Sequence, residues 1–139
     1  MIRSLAVLAA LATGPAVAQE LGAAGLLSRG NSEDLPPLVL SAGMPLADAP
    51  LVLHSGTYYE IEIEADGSQE LALAGPEFFR AVWIDEIVVE GLEIRPLGVA
   101  SLEFDEAGTM EISFVAIVPG RYSLGVPGSD LQRIEIVIE

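Results

Sequence analysis

The chain has 139 residues, with 21 acidic side chains against six basic ones, one histidine and no cysteine. A formal net charge of −15 argues against nucleic acid and anionic lipid as partners and favours cations, basic partners and solubility. Without cysteine there is no disulfide, no thiolate metal site and no cysteine nucleophile.

Met1-Ile2-Arg3-Ser4 carries one positive charge, Leu5–Ala12 is uninterrupted apolar, Gly14-Pro15 breaks the run, and Ala16-Val17-Ala18 precedes Gln19. Charged start, short apolar run and small-x-small site, in that order, predict a cleavable signal peptide over residues 1–18. The run is shorter than the about 20 apolar residues that a bilayer span needs, and no second long apolar segment follows. There is no twin arginine and no cysteine after the cleavage site, so the expectation is a soluble periplasmic product without a membrane anchor. Every acidic residue lies beyond Ala18, and cleavage removes Arg3, so the exported chain is one unit more negative than the full one. What remains suffices for one domain with one core.

Residues 19–34 show no sustained period and read as a linker or N-terminal arm, with Leu21, Leu26 and Leu27 free to dock. From 35 to 139 short apolar runs alternate with turn residues about every 8–12 positions, which predicts an all-β domain. Strands are expected at 38–40, 50–54, 57–64, 70–73, 82–89, 92–95, 101–104, 109–118, 121–124 and 133–138, with a short helical turn at Glu77-Phe78-Phe79. Alternation turns Tyr59, Ile61 and Ile63 to one side and Tyr58, Glu60, Glu62 and Glu64 to the other. Ile134, Ile136 and Ile138 point inward, and Ile112, Phe114 and Ala116 form another apolar face. One buried side per strand implies two sheets packed as a Greek-key β-sandwich.

Leu53-His54-Ser55-Gly56-Thr57-Tyr58-Tyr59 resembles a strand entry of cupredoxin-like domains. Pro119-Gly120-Arg121-Tyr122-Ser123-Leu124, Val126-Pro127-Gly128 and Arg133–Ile138 resemble the family's closing hairpin, in which a ligand loop precedes the last strand. The resemblance spans residues 50–139 and implies a cupredoxin-like fold. The family holds type 1 copper with two histidines, one cysteine and usually a methionine, because the thiolate supplies the soft ligand and two imidazoles complete the plane. Residues 125–132 contain no Cys, His or Met, and the whole chain has one His, so the expectation is a cupredoxin-like domain without type 1 copper.

Three sets of residues are candidates for a site. His54 before Ser55-Gly56 is either a surface or capping histidine, or one ligand of copper or zinc with carboxylates completing the set. Glu60, Glu62 and Glu64 form an acidic row, either a solvated sheet face or part of a hard-cation site to which Asp85-Glu86 and Glu103-Asp105-Glu106 contribute. The segment from Pro76 to Ile84 gathers Phe78, Phe79, Arg80 and Trp83. Adjacent Phe78 and Phe79 cannot share one side of a strand, so the choice is between a core plug and a partner contact made by an exposed ring with Arg80 and Tyr58. No nucleophile elbow, phosphate loop or H-E-x-x-H occurs. The expected function is non-enzymatic: an exported module that binds, serves or assembles a basic periplasmic protein or redox enzyme. The alternative is a protein that binds or delivers a metal, copper or a hard cation, through His54 and carboxylates.

Overall fold

Short β-rich runs separated by turn residues fold into eleven strands and one helix in the computed structural model, which describes residues 22–139. The expected signal peptide lies outside the described residues. The strands are β1 (Ser32–Asp34), β2 (Leu38–Leu40), β3 (Leu51–Leu53), β4 (Tyr58–Ala65), β5 (Leu71–Ala74), β6 (Val82–Val89), β7 (Leu92–Ile94), β8 (Ser101–Phe104), β9 (Gly108–Ala116), β10 (Gly120–Gly125) and β11 (Arg133–Ile138). The helix α1 (Pro76–Ala81) starts on Pro76, whose missing N–H is one of the unbonded donors of a first turn anyway.

Sheet A runs in the order β1-β4-β9-β6-β7, with β2 also paired to β4, and sheet B in the order β3-β11-β10-β5-β8. The parallel pairs are β1 and β2 with β4, and β3 with β11; the rest are antiparallel. The two sheets bury Ile61 and Ile63 of β4, Ile112 and Phe114 of β9 and Ile134 and Ile136 of β11 between them. Each such side chain contributes about 1.5–3 kcal/mol by leaving water. The alternation assigned to β4 and β11 is therefore the observed one. Among the described residues no helix is long and apolar enough to cross a membrane.

Three local features stand out against the expected elements, the first two by differing from them and the third by filling the expected gap between 82–89 and 92–95. First, the domain begins before residue 35: Ser32–Asp34 pairs with Tyr58–Glu60, and Asn31 Nδ2 donates to Leu26 O at 2.9 Å and Gly56 O at 2.8 Å. Second, the register of β6 on β9 shifts between Ile84 and Glu86, a bulge that turns both Asp85 and Glu86 to the outer face. Third, β6 and β7 are joined by Glu90-Gly91 alone, both at positive φ (49° and 79°), the conformation of a type I′ hairpin.

Candidate functional site

The outer face of sheet A carries the acidic row. β4 pairs along its whole length with β9, placing Glu60 opposite Ser113, Glu62 opposite Glu111 and Glu64 opposite Thr109. Asp34 lies beside Glu60 through β1, and the bulge adds Glu86 opposite Ser113. Burial raises the Glu60 carboxyl above the ordinary glutamate range, and the charges of Glu111, Asp34 and Glu86 push it further. Glu62 is also raised, first by the hydrogen bond it shares with Glu64 and then by slight desolvation and the charges of Glu64 and Glu111. The carboxylates of this face therefore crowd one another.

Among the described residues a single arginine pairs with them, at one corner. Arg95 lies 2.9 Å from Asp85 Oδ1, 2.8 Å from Glu86 Oε2 and 3.5 Å from Glu93 Oε2. The bulge makes this possible, because regular alternation would turn one of Asp85 and Glu86 inward. Tyr58 reaches across β9 to the same corner, its hydroxyl donating to Asp85 Oδ2 at 3.2 Å. Burial raises the Tyr58 phenol, a Ser113 hydrogen bond opposes that, and Asp85 reinforces it. Ser113 and Val115, which point outward from β9, are closed off from solvent.

His54 does not join the acidic row. It follows β3 at the edge of sheet B, its N–H donates to the Tyr59 hydroxyl at 2.8 Å, and its Nδ1 is 3.8 Å from Glu139 Oε1 on an exposed surface. Among the described residues the metal-capable side chains that converge are Glu70, Glu103 and Asp105, not His54, Glu60, Glu62 and Glu64. The structure does not bring His54 to the acidic row, because β3 and β4 lie in different sheets. The Glu70 group exists because β5 pairs with β8, opposing Ala72 to Glu103. All three are exposed, and the hydrogen bond to Glu70, then its charge, raises Glu103. Asp66, at the end of β4 beyond the acidic row, turns to Ser41 and Ser68. Its Oδ2 accepts from Ser41 Oγ at 2.6 Å, and its carboxyl is lowered by hydrogen bonds from Ser41 and Ser68.

The expectation of an exposed phenyl ring is corrected. Phe78 and Phe79 are 4% and 5% exposed, with ring centroids 5.5 Å apart, and Phe78 meets Phe114 edge-on at 5.6 Å. The rule that neighbours face opposite ways belongs to strands. In α1 successive residues turn about 100°, so two adjacent rings share one buried face and plug the sandwich. Arg80 is exposed, 4.0 Å from Glu77. The aromatic that does reach solvent is Trp83, 48% exposed, flanked by inward Val82 and Ile84. The alternation of β6 was the signal that could have found it.

The closing hairpin explains the Pro-Gly-x-Tyr motif. Tyr122 Oη donates to Val118 O at 2.9 Å, tying the strand start to its own approach. A Cβ at Gly120 would lie 2.8 Å from that oxygen, so glycine makes room for the ring. Beyond β10, Gln132 is buried, its Nε2 donating to Ser41 O at 2.8 Å.

No family model matches the chain, and no curated protein matches it in sequence. Solved structures do match in shape. A laccase-like multicopper oxidase from Ochrobactrum sp. superposes with a TM-score of 0.58 at 8% identity, covering 81% of this chain and 32% of that one. A copper nitrite reductase from Nitrosomonas europaea gives 0.52 at 13% identity, over 67% of this chain and 33% of that one. Auracyanin A, a blue copper protein from Chloroflexus aurantiacus, gives 0.50 at 12% identity, over 78% and 99%. The chain spans about a third of the oxidase and the reductase and nearly all of auracyanin A. At these identities the likeness is one of fold, and by that likeness the chain is a cupredoxin-like β-sandwich.

Proposed function

We propose that the chain is exported to the periplasm and acts there as a non-enzymatic binding module, docking a basic protein or redox enzyme on the outer face of sheet A. The observation that carries this reading is the acidity of that face: Glu60 is raised by burial and then by the charges of Glu111, Asp34 and Glu86, Glu62 by its hydrogen bond with Glu64 and then by desolvation and like charges, while among the described residues Arg95 pairs at one corner. Such crowding opposes folding and is relieved when cationic side chains arrive. A field of one sign over a sheet face steers a basic partner and makes its association rate fall with salt.

The module works without type 1 copper in this reading. The β10–β11 loop, where the resemblance puts the copper ligands, holds Val126 to Gln132 without sulfur or imidazole, and Gln132 is turned to Ser41. His54 lies beside the C-terminal end of β11, because β3 runs parallel to it with Leu53 opposite Ile138. That is the other end of the sandwich, roughly 15–20 Å away by strand rise. These donors do not fit the centre.

The test is a pull-down from periplasmic extract with the exported chain, followed by association kinetics with the recovered protein over a range of salt. A rate that falls steeply with salt and weakens in Glu60→Gln/Glu62→Gln/Glu64→Gln supports the reading. A rate indifferent to salt removes it. Copper found at one equivalent in the purified protein would overturn the copper-free part.

A further inference from the structure

Trp83 is the chain's only tryptophan and stands half exposed, although Phe78 and Phe79 a few residues earlier are taken fully into the core. The register sets it opposite Val115, with Tyr58 on the far side of Val115, so Trp83 shares its face with the acidic row. Ile117 and Val118 lie next to it: both donate their N–H to Ala81 O, at 3.1 and 2.9 Å, and both side chains are nearly half exposed. Exposed Trp83, Ile117 and Val118 thus gather where β9 ends beside the start of β6, and Trp83 shares the outer face with Glu60 and Glu86.

We propose that Trp83 anchors the docking face, and that its occupant is a basic partner protein whose contact surface sets an apolar socket among arginine and lysine side chains. This rests on the reading of sheet A's outer face as a docking face. Tryptophan is among the residues most enriched at energetic hot spots, which surrounding contacts shield from water. The indole face also attracts a cation held beside it. The surrounding carboxylates commit the occupant to positive charge. A second copy meeting this face by a two-fold axis would set the acidic row against an identical row, and an anionic lipid surface would be repelled. The carboxylates govern the encounter rate, and the Trp83 patch governs how long the complex lasts.

Two charge-matched peptides test this on the exported chain, one alternating arginine with leucine and one alternating arginine with serine. We expect the leucine peptide to bind about tenfold more tightly by calorimetry and to shift Trp83 emission to the blue. Trp83→Ala erases the difference between the peptides, Trp83→Phe keeps most of it, and Val118→Ser reduces it, all with native circular dichroism. Salt weakens both peptides in every variant. Equal affinities in the wild type, or a difference that survives Trp83→Ala, overturn the anchor and leave the acidic docking face standing. No salt-dependent binding of either peptide overturns both. A blue shift on dilution-sensitive dimerisation of the chain alone, or on neutral phosphatidylcholine vesicles and not on peptide, assigns the patch to a second copy or to lipid and overturns the proposal.

Discussion

The outer faces of the two sheets are built from the same alternating strands, yet they treat charge differently. On the β10–β11 half of sheet B, Arg121 pairs with Glu135 across the hairpin and Val52 and Val137 lie beside them. On sheet A, Glu62 opposes Glu111 and shares its hydrogen bond with Glu64, a carboxylate set against carboxylates. That half of sheet B is matched, although the β5–β8 half gathers Glu70, Glu103 and Asp105. The face of sheet A is left mismatched, which is the ground for our proposal that a cationic partner completes it. The fold tolerates the mismatch because its stability lies in the shared interior, where Phe78, Phe114 and Tyr59 stack beneath both faces.

The largest effect separates that interior from the surface. Phe78→Ala should lose about 3–5 kcal/mol in denaturant unfolding. Trp83→Ala, on the outer face of sheet A, should lose clearly less; equal losses would mean that Trp83 is a core residue and the faces are misdrawn. Next is the corner of sheet B that the Pro-Gly-x-Tyr motif builds. Tyr122→Phe should cost about 1 kcal/mol through the lost bond to Val118, and Gly120→Ala should cost at least as much by displacing the ring.

Acidity sharpens the comparison further. Glu60 and Glu62 are raised in the folded chain, so between the ordinary glutamate value and their raised values the folded state holds more protons than the unfolded one. Their contribution to stability is therefore present at lower pH and is lost as pH rises through the raised values. Asp66 is lowered, so its contribution is present above the ordinary aspartate value and lost as pH falls through the lowered one. We expect unfolding midpoints to rise as pH falls from neutral towards the ordinary glutamate range, and to fall again in stronger acid. Added salt at pH 7 should flatten the first limb. On single substitution, Glu62→Gln should raise the denaturant midpoint at pH 7 without changing the slope, whereas Glu135→Gln should lower it by at most about 1 kcal/mol. Midpoints moving the same way for both would erase the contrast. The smallest effect is Glu90→Asn, which should stabilise by less than about 1 kcal/mol, since asparagine accepts the positive φ of the I′ turn better than glutamate does.

Much of this was legible before any coordinates. Strict alternation in Tyr58–Ala65 and Arg133–Ile138 named the buried side of both sheets, and the closing hairpin pointed to the fold. What was not legible came from pairing at a distance. Ser32-Glu33-Asp34 has no apolar residue to announce a strand; it becomes one by backbone pairing to β4. Glu70 meets Glu103 only because β5 finds β8 beyond α1, β6 and β7. Asp85 and Glu86 share a face through a bulge that no residue pattern marks. Of the two alternatives for Phe78 and Phe79 the core plug is the one found, because the helical turn that carries them puts adjacent rings on one side. Trp83, by contrast, stood between two inward residues and was readable from the period alone.

The most direct measurement of the acidic face as a docking surface is the association rate of the recovered partner, followed from low to high salt, for the exported wild type and for Glu60→Gln/Glu62→Gln/Glu64→Gln. We expect a steep fall with salt for the wild type, and a lower rate with a shallower fall for the variant. Rates that do not respond to salt, or that are the same in both proteins, would contradict it.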